Sequence, residues 1–222
     1  MILYDPLSGD ACTTPVALRP RTCFLMTKLG KNVPPVVDEI RERIAAITAE
    51  RNINIIDANS ITTGKDFLLK IWRLIVSVPV GIAIIYKSMP KTTMSNVFYE
   101  VGLMQALGKE TLIVKEPSTE VPSDFVRTEY ISFDKSFDLK LKAFLDSLKE
   151  RADYFGTVAE QLERNPLLSI DYYRRAYLLT GDEKWRKNAA EVLTNAGLDG
   201  RSKNSVELLL ASFCYGKFSQ GA

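Results

Sequence analysis

Val80-Gly81-Ile82-Ala83-Ile84-Ile85-Tyr86 is apolar at almost every position, and its reading decides the fold. A strand with one wet face alternates polar and apolar residues, whereas a central parallel strand, covered on both faces, reads as a continuous apolar run. On either side of this run the chain alternates short apolar stretches with segments of helical periodicity. Upstream, Gly64 to Val78 carries Phe67, Leu68, Ile71, Leu74, Ile75 and Val78 at helical spacing and is stopped by Pro79. Before it come a strand at Ile53 to Ile56, a helix bearing Val36, Val37, Ile40, Ile44 and Ile47, and a first strand at Cys23 to Met26 that ends toward Gly30 and Pro34-Pro35. Downstream, a polar loop from Lys87 to Ser95 leads to a helix from Asn96 to Leu107 closed by Gly108, a strand at Thr111 to Val114 and a fifth at Tyr130 to Phe133. Five strands alternating with helices predict an α/β domain, a flavodoxin-like five-stranded parallel sheet with helices on both faces. Ligands of such sheets bind beyond the carboxyl ends of the strands, which directs attention to the loops after Met26, Ile56 and Tyr86.

From Phe137 onward the pattern is wholly helical: a long charged helix to about Tyr154, then segments at Thr157 to Glu163, Ile170 to Leu179, Trp185 to Ala196 and Ser205 to Phe213. The expected organisation is an arm over 1–20, a ligand-binding domain over 21–150 and a C-terminal helical appendage over 151–222. Composition narrows the chemistry. With 46% hydrophobic and 25% charged residues the chain should fold, and a net charge of +2 lacks the basic footprint of a nucleic-acid binder. Histidine is absent, so a Ser-His-Asp triad, a Cys-His pair and a His-ligated metal are all excluded. Cys12, Cys23 and Cys214 are too widely spaced for a Cys-x-x-Cys site, and their odd number fits a reducing cytoplasm. No apolar run is long enough for a bilayer and no signal-peptide pattern opens the chain, so a soluble protein with no membrane partner is expected. Gly64-Lys65 lacks the upstream glycines of a phosphate-binding P-loop.

The stretch richest in chemistry is Ser95-Asn96-Val97-Phe98-Tyr99-Glu100-Val101-Gly102-Leu103-Met104-Gln105-Ala106-Leu107-Gly108-Lys109. On a helix, Glu100 has Val97, Leu103, Met104 and Leu107 as neighbours, so its carboxylate projects from an apolar face. Desolvating an unpaired carboxylate costs several kcal/mol, which calls for a cleft or a partner. The plainer alternative places Glu100 near the helix amino end, held by the dipole or paired with a lysine.

This stretch closely resembles the signature helix of the TIR-like and nucleoside 2-deoxyribosyltransferase-like superfamily, whose pattern reads Asn-x-Phe-Tyr-Glu-x-Gly-Leu-x-x-Ala-Leu-Gly-Lys. Cys23-Phe24-Leu25-Met26 with Gly30 is similar to the superfamily's first strand and glycine turn. Val121-Pro122-Ser123-Asp124-Phe125-Val126-Arg127, followed by Tyr130-Ile131-Ser132-Phe133, is similar to its closing segment. The resemblance spans about residues 20–134.

It implies cleavage of an N-glycosidic bond, with Glu100 acting at the anomeric carbon as nucleophile or as stabiliser of an oxocarbenium-like state. A cationic nicotinamide leaves without protonation, so one carboxylate suffices where ordinary glycosidases use two. NAD is therefore the expected substrate, with no resident cofactor and no metal. A deoxyribosyltransferase or nucleotide N-glycosidase, and a non-catalytic nucleotide-sensing or assembly module, are the alternatives. Around Glu100, Asn96 is a helix cap or a ribose-hydroxyl partner, and Tyr99 a core residue or a ligand contact. Thr27, Lys28 and Gly30 hold a phosphate or simply form the surface loop after the first strand. Asp57 and Asn59 bond sugar hydroxyls or make the turn after the second strand. Trp72 and Trp185 read as packing residues. Members of the superfamily often carry an aspartate at the end of the third strand, where this chain has Tyr86-Lys87, so Tyr86 joins the candidate substrate-binding residues and puts activity itself in question. Self-association into a homo-oligomer and, in a bacterial source, anti-phage defence are further implications of the resemblance.

Overall fold

The computed structural model describes residues 4, 8–10, 16–28, 30, 33–58, 67–122, 125 and 129–196. Five strands, β1 (Thr22–Met26), β2 (Asn54–Asp57), β3 (Val80–Ile85), β4 (Glu110–Lys115) and β5 (Glu129–Ser132), form one sheet in the order β2-β1-β3-β4-β5. Every pairing is parallel. The expected flavodoxin-like α/β fold is what the chain adopts. Residues of β1 and β3 are buried throughout, as their unbroken apolar runs require, while the outer strands β2 and β5 carry exposed residues at Asn54, Glu129 and Tyr130.

The chain divides into two compact units that do not follow it in order. One comprises residues 22–65 and 78–146 and holds the whole sheet. The other gathers residues 1–21, 66–77 and 147–222, so that α2 (Phe67–Ser77) groups with the C-terminal helices.

In the sheet unit, α1 (Pro35–Ala49) starts at a proline, where a missing N–H costs nothing, and buries Val37, Ile40, Ile44 and Ile47. The long helix α4 (Phe137–Gln161) begins beside it: Arg43 donates to both carboxylate oxygens of Asp138, and Arg51 does the same to Asp146. The helix α3 (Lys91–Ala106) buries Val97, Phe98, Val101 and Met104. Its contact with the sheet is close because β3 has no side chain at Gly81, where a Cβ would collide with Met104 Sδ and Met26 Cε. The crossover carrying α1 leaves β1 toward β2, and the one carrying α3 leaves β3 toward β4. With right-handed crossovers, these opposite directions put α1 and α3 on opposite faces of the sheet.

In the helical unit, α5 (Pro166–Thr180) is capped by Asn165, whose side chain accepts from Leu168 N–H, and ends at Gly181 in the left-handed conformation at φ 68°. Next, α6 (Glu183–Asn195) is capped by Asp182, which accepts from Lys184 N–H. The expected break between Tyr154 and Thr157 does not occur: α4 runs unbroken to Gln161. Gly156 reads as a helix breaker, yet it lies where a Cβ would come within 2.5 Å of the Trp185 ring, so its small size serves packing. Thr157 Oγ1 is absorbed by the Asp153 carbonyl one turn back. Trp185 is buried, stacks on Tyr173 and donates to Thr180 Oγ1, the packing role its sequence context suggested. The segment Ser205 to Phe213 lies outside the described residues.

Candidate active site at the carboxyl ends of β1 and β3

The strand order makes β1 and β3 neighbours whose connections depart in opposite directions, and the carboxyl ends of such a strand pair are where ligands of doubly wound sheets bind. The loop after β3 is short. Met89 N–H donates to the Tyr86 carbonyl at 3.0 Å, and Lys87 N–H donates to the Glu116 carboxylate at 2.9 Å. Pro90, with φ −57° and ψ 138°, then sets the start of α3.

That start corrects the expected helix boundary. With α3 beginning at Lys91, Asn96 lies more than one turn inside the helix on an exposed face, and it caps nothing. Glu100 is correspondingly in the third turn, beyond the reach of the amino-terminal dipole, which removes the plainer account of its position. Nor does a lysine neutralise it: among the described residues Glu100 has neither a hydrogen bond nor an ion pair. It is half-buried beside Val97, Val101 and Met104. Burial alone pushes its carboxyl from 4.5 up to about 7.

Packing fixes its height above the sheet. Met104 rests on Gly81, and α3 runs antiparallel to the strands it connects. Four residues back along the helix is about 6 Å toward the carboxyl ends, or roughly two strand residues. This brings Glu100 level with Ala83 and its register partner Met26, near the carboxyl ends of β1 and β3.

The other candidates fall into distinct positions. Thr27 is buried at the end of β1, and among the described residues its hydroxyl has no hydrogen-bond partner. Lys28 is half-buried, and its carbonyl accepts from Arg41 Nη2 at 2.7 Å. Gly30 is exposed at φ 91°, a conformation that strongly favours glycine. Tyr86 is fully buried. Its phenol is raised from the usual value by burial, against which the Arg41 charge works. Asp57 ends β2, the edge strand beside β1. Tyr99 is 51% exposed and so is not a core residue. Asn59 lies outside the described residues, as do Ser123, Asp124, Val126 and Arg127.

Arg41, not singled out in the sequence, holds the loop that carries Lys28. Its guanidinium also donates to Asp38 at 3.3 Å, and it ties α1 to the loop after β1. The available signal was a cation beside the apolar stripe Val37-Ile40-Ile44, one turn into the helix that follows the first strand, with Asp38 three residues before it.

Elsewhere, a cavity of about 520 Å³ in the helical unit is lined by Glu160, Glu163, Glu191, Arg164, Tyr173 and Asn188 among others, and includes none of the candidate site residues. Cys23 is buried, and burial pushes its thiol up to about 12, so it is not a nucleophile at neutral pH. Among the described residues no group of acidic or cysteine side chains is arranged to hold a metal ion, and no helix is long and apolar enough to cross a membrane. No protein-family model matches the chain, and no curated protein matches it either.

Proposed function

We propose that this chain is a TIR-like N-glycosidase that cleaves the bond between nicotinamide and ribose in NAD, with Glu100 at the reacting carbon. One observation carries the reading: Glu100 is a desolvated carboxyl group with no partner among the described residues, on the helix that follows β3 in a doubly wound sheet, whose ligands bind at the carboxyl ends of the strands. Its surroundings keep it poised between protonated and ionised forms near neutral pH. A cationic pyridinium ring arriving beside it favours the ionised form, so substrate binding and ionisation are linked.

As the C–N bond lengthens, its electron pair goes to the ring nitrogen and nicotinamide leaves as a neutral base. The positive charge left on the ribose is met by the Glu100 carboxylate, either electrostatically or by forming a bond to the anomeric carbon. Water, or a nucleophile within the same molecule, then completes hydrolysis or cyclisation. No protonated leaving-group acid is needed, which suits a site without histidine.

Base release from NAD, deoxynucleosides and nucleoside monophosphates, followed with pure protein, tests the reading. Release of nicotinamide supports it. Release only from deoxynucleosides or monophosphates transfers the chemistry to the deoxyribosyltransferase or nucleotide N-glycosidase alternative. One feature favours a second reading, a nucleotide-sensing module without turnover: Tyr86-Lys87 follows β3 where an acid is common in the resembled superfamily. Tight binding with every substrate intact would establish that reading instead. Self-association belongs to the same proposal and would appear as an oligomeric mass in solution.

A further inference from the structure

The cavity of about 520 Å³ in the helical unit has no part in the chemistry of Glu100. Its volume falls in the range of about 300 to 1,000 Å³ that holds small-molecule ligands. Glu160 near the end of α4, Glu163 and Arg164 in the turn behind it, Tyr173 on α5, and Asn188 and Glu191 on α6 all face into it. Three carboxylates against one guanidinium leave the wall net negative. Among the described residues Glu160, Glu163 and Arg164 form no ion pair, and Glu191 has only an exposed contact with Lys187 at 3.9 Å, of a kind worth little. Tyr173 is the second and independent feature. It is 2% exposed, and its ring is fixed by stacking on Trp185 at 6.2 Å. Its phenol oxygen receives the Asn188 amide, but among the described residues no group accepts the phenol hydrogen. A tyrosine hydroxyl so deeply placed ordinarily finds an acceptor. Burial, and after it the charges of Glu160, Glu163 and Glu191, hold the phenol above its usual value, so the three carboxylates reach it as charges and not as hydrogen-bond partners.

From this arrangement we infer that the cavity is a binding site for a small polyhydroxylated amine, an amino sugar or aminocyclitol, whose ammonium groups meet the Glu160, Glu163 and Glu191 carboxylates while a hydroxyl oxygen accepts from Tyr173. Each half of that chemistry answers one feature of the wall. An alkyl polyamine would satisfy the carboxylates and leave the phenol hydrogen idle, and a neutral sugar would do the reverse. A bare metal ion fits neither, since among the described residues no set of acidic groups is arranged to hold one. Nothing in the assignment depends on Glu100 or on NAD.

Calorimetric titration of the full chain with 2-deoxystreptamine, a diamino cyclitol, tests it against inositol, which has the hydroxyls alone, and spermidine, which has the amines alone. 2-Deoxystreptamine should bind at least about tenfold more tightly than inositol, a ratio typical of one charged hydrogen-bonded contact. It should also bind several-fold more tightly than spermidine. Glu163→Gln alters an exposed side chain without changing its shape, so it should fold as the parent does and weaken 2-deoxystreptamine about tenfold. Tyr173→Phe keeps the ring on Trp185; it should weaken 2-deoxystreptamine several-fold and leave spermidine unchanged. Absence of NAD cleavage would not alter any of these affinities. Binding of none of the three, an affinity for inositol or spermidine equal to that for 2-deoxystreptamine, or a Glu163→Gln or Tyr173→Phe protein that binds it as the parent does, would overturn the site.

Discussion

Replacing Glu100 by Gln should change the stability of the sheet unit in a way that depends on pH, with a sign fixed by burial. The folded-state carboxyl is raised from 4.5 to about 7, so the folded form holds its proton more tightly than the unfolded chain does. Stability associated with the protonated acid is therefore complete below pH 4.5 and is lost as pH climbs through 7. The interval corresponds to roughly 3 kcal/mol. The glutamine variant has no proton to lose. Whatever its amide costs or gains in packing is the same at every pH, so the difference between the two proteins isolates the ionisation. Protection of the Ile82 to Ile85 amides from hydrogen exchange, corrected for the intrinsic pH dependence of exchange, reads out opening of the buried β3 strand. Between pH 4 and pH 8 the variant should gain about 3 kcal/mol relative to the parent. A difference that stays constant with pH, or that moves in favour of the parent, would show that Glu100 is solvated or paired, and the argument for its chemistry would fall.

Four other outcomes follow from the same physics. Because the ionised form of Glu100 meets the developing ribose charge, kcat/KM for nicotinamide release should rise with pH through an apparent pKa of about 7; a profile flat from pH 5.5 to 8.5 would contradict that role. Gly156→Ala should lower stability by about 1 to 2 kcal/mol in urea unfolding despite alanine's better helix propensity, since the new methyl group meets the buried Trp185 ring, and a stabilised variant would disprove the contact. Asp171, buried between Arg174 and Arg175, is penalised by burial yet held down to about 2 by those two charges, so Asp171→Asn should cost about 3 to 5 kcal/mol near neutral pH. That gap should narrow as pH falls from about 4 toward 2, where the parent's carboxylate takes up its proton; a gap independent of pH in urea titrations would argue against the ion pairs. Finally, the Cys23 thiol should resist alkylation in the native protein and react on unfolding, as followed by mass spectrometry of its peptide, and rapid native labelling would show that β1 is accessible.

The sheet was legible in the sequence because its central strands are covered on both faces, and that condition leaves little choice but consecutive apolar residues at Phe24 to Met26 and Val80 to Ile85. Boundaries were less legible where tertiary packing overrides a local signal. Gly156 looks like a helix stop until Trp185 is found resting on it. Lys87 to Ser95 reads as a polar loop, whereas the helix starts at Lys91 after Pro90, and its first five residues are polar or half-buried because only Val97 and Phe98 onward meet the core. Glu100 stood out because its helical neighbours at Val97 and Met104 are apolar, and the fold keeps that environment. Tyr99, one position away, turns outward, since a helix rotates by about 100° per residue. Arg41 escaped notice because its partner is a backbone carbonyl thirteen residues earlier, and a carbonyl leaves no mark in the sequence. The partition of α2 with residues 1–21 and the C-terminal helices was equally invisible, being a matter of three-dimensional contact between distant segments.

The most direct test of the proposed chemistry compares nicotinamide release from NAD by the parent chain and by Glu100→Gln at pH 8, under identical conditions and with folding verified by circular dichroism. Loss of about 10²-fold or more in the variant is the expected result, in line with removal of a charge that stabilises a transition state. Equal rates in the two proteins would contradict it.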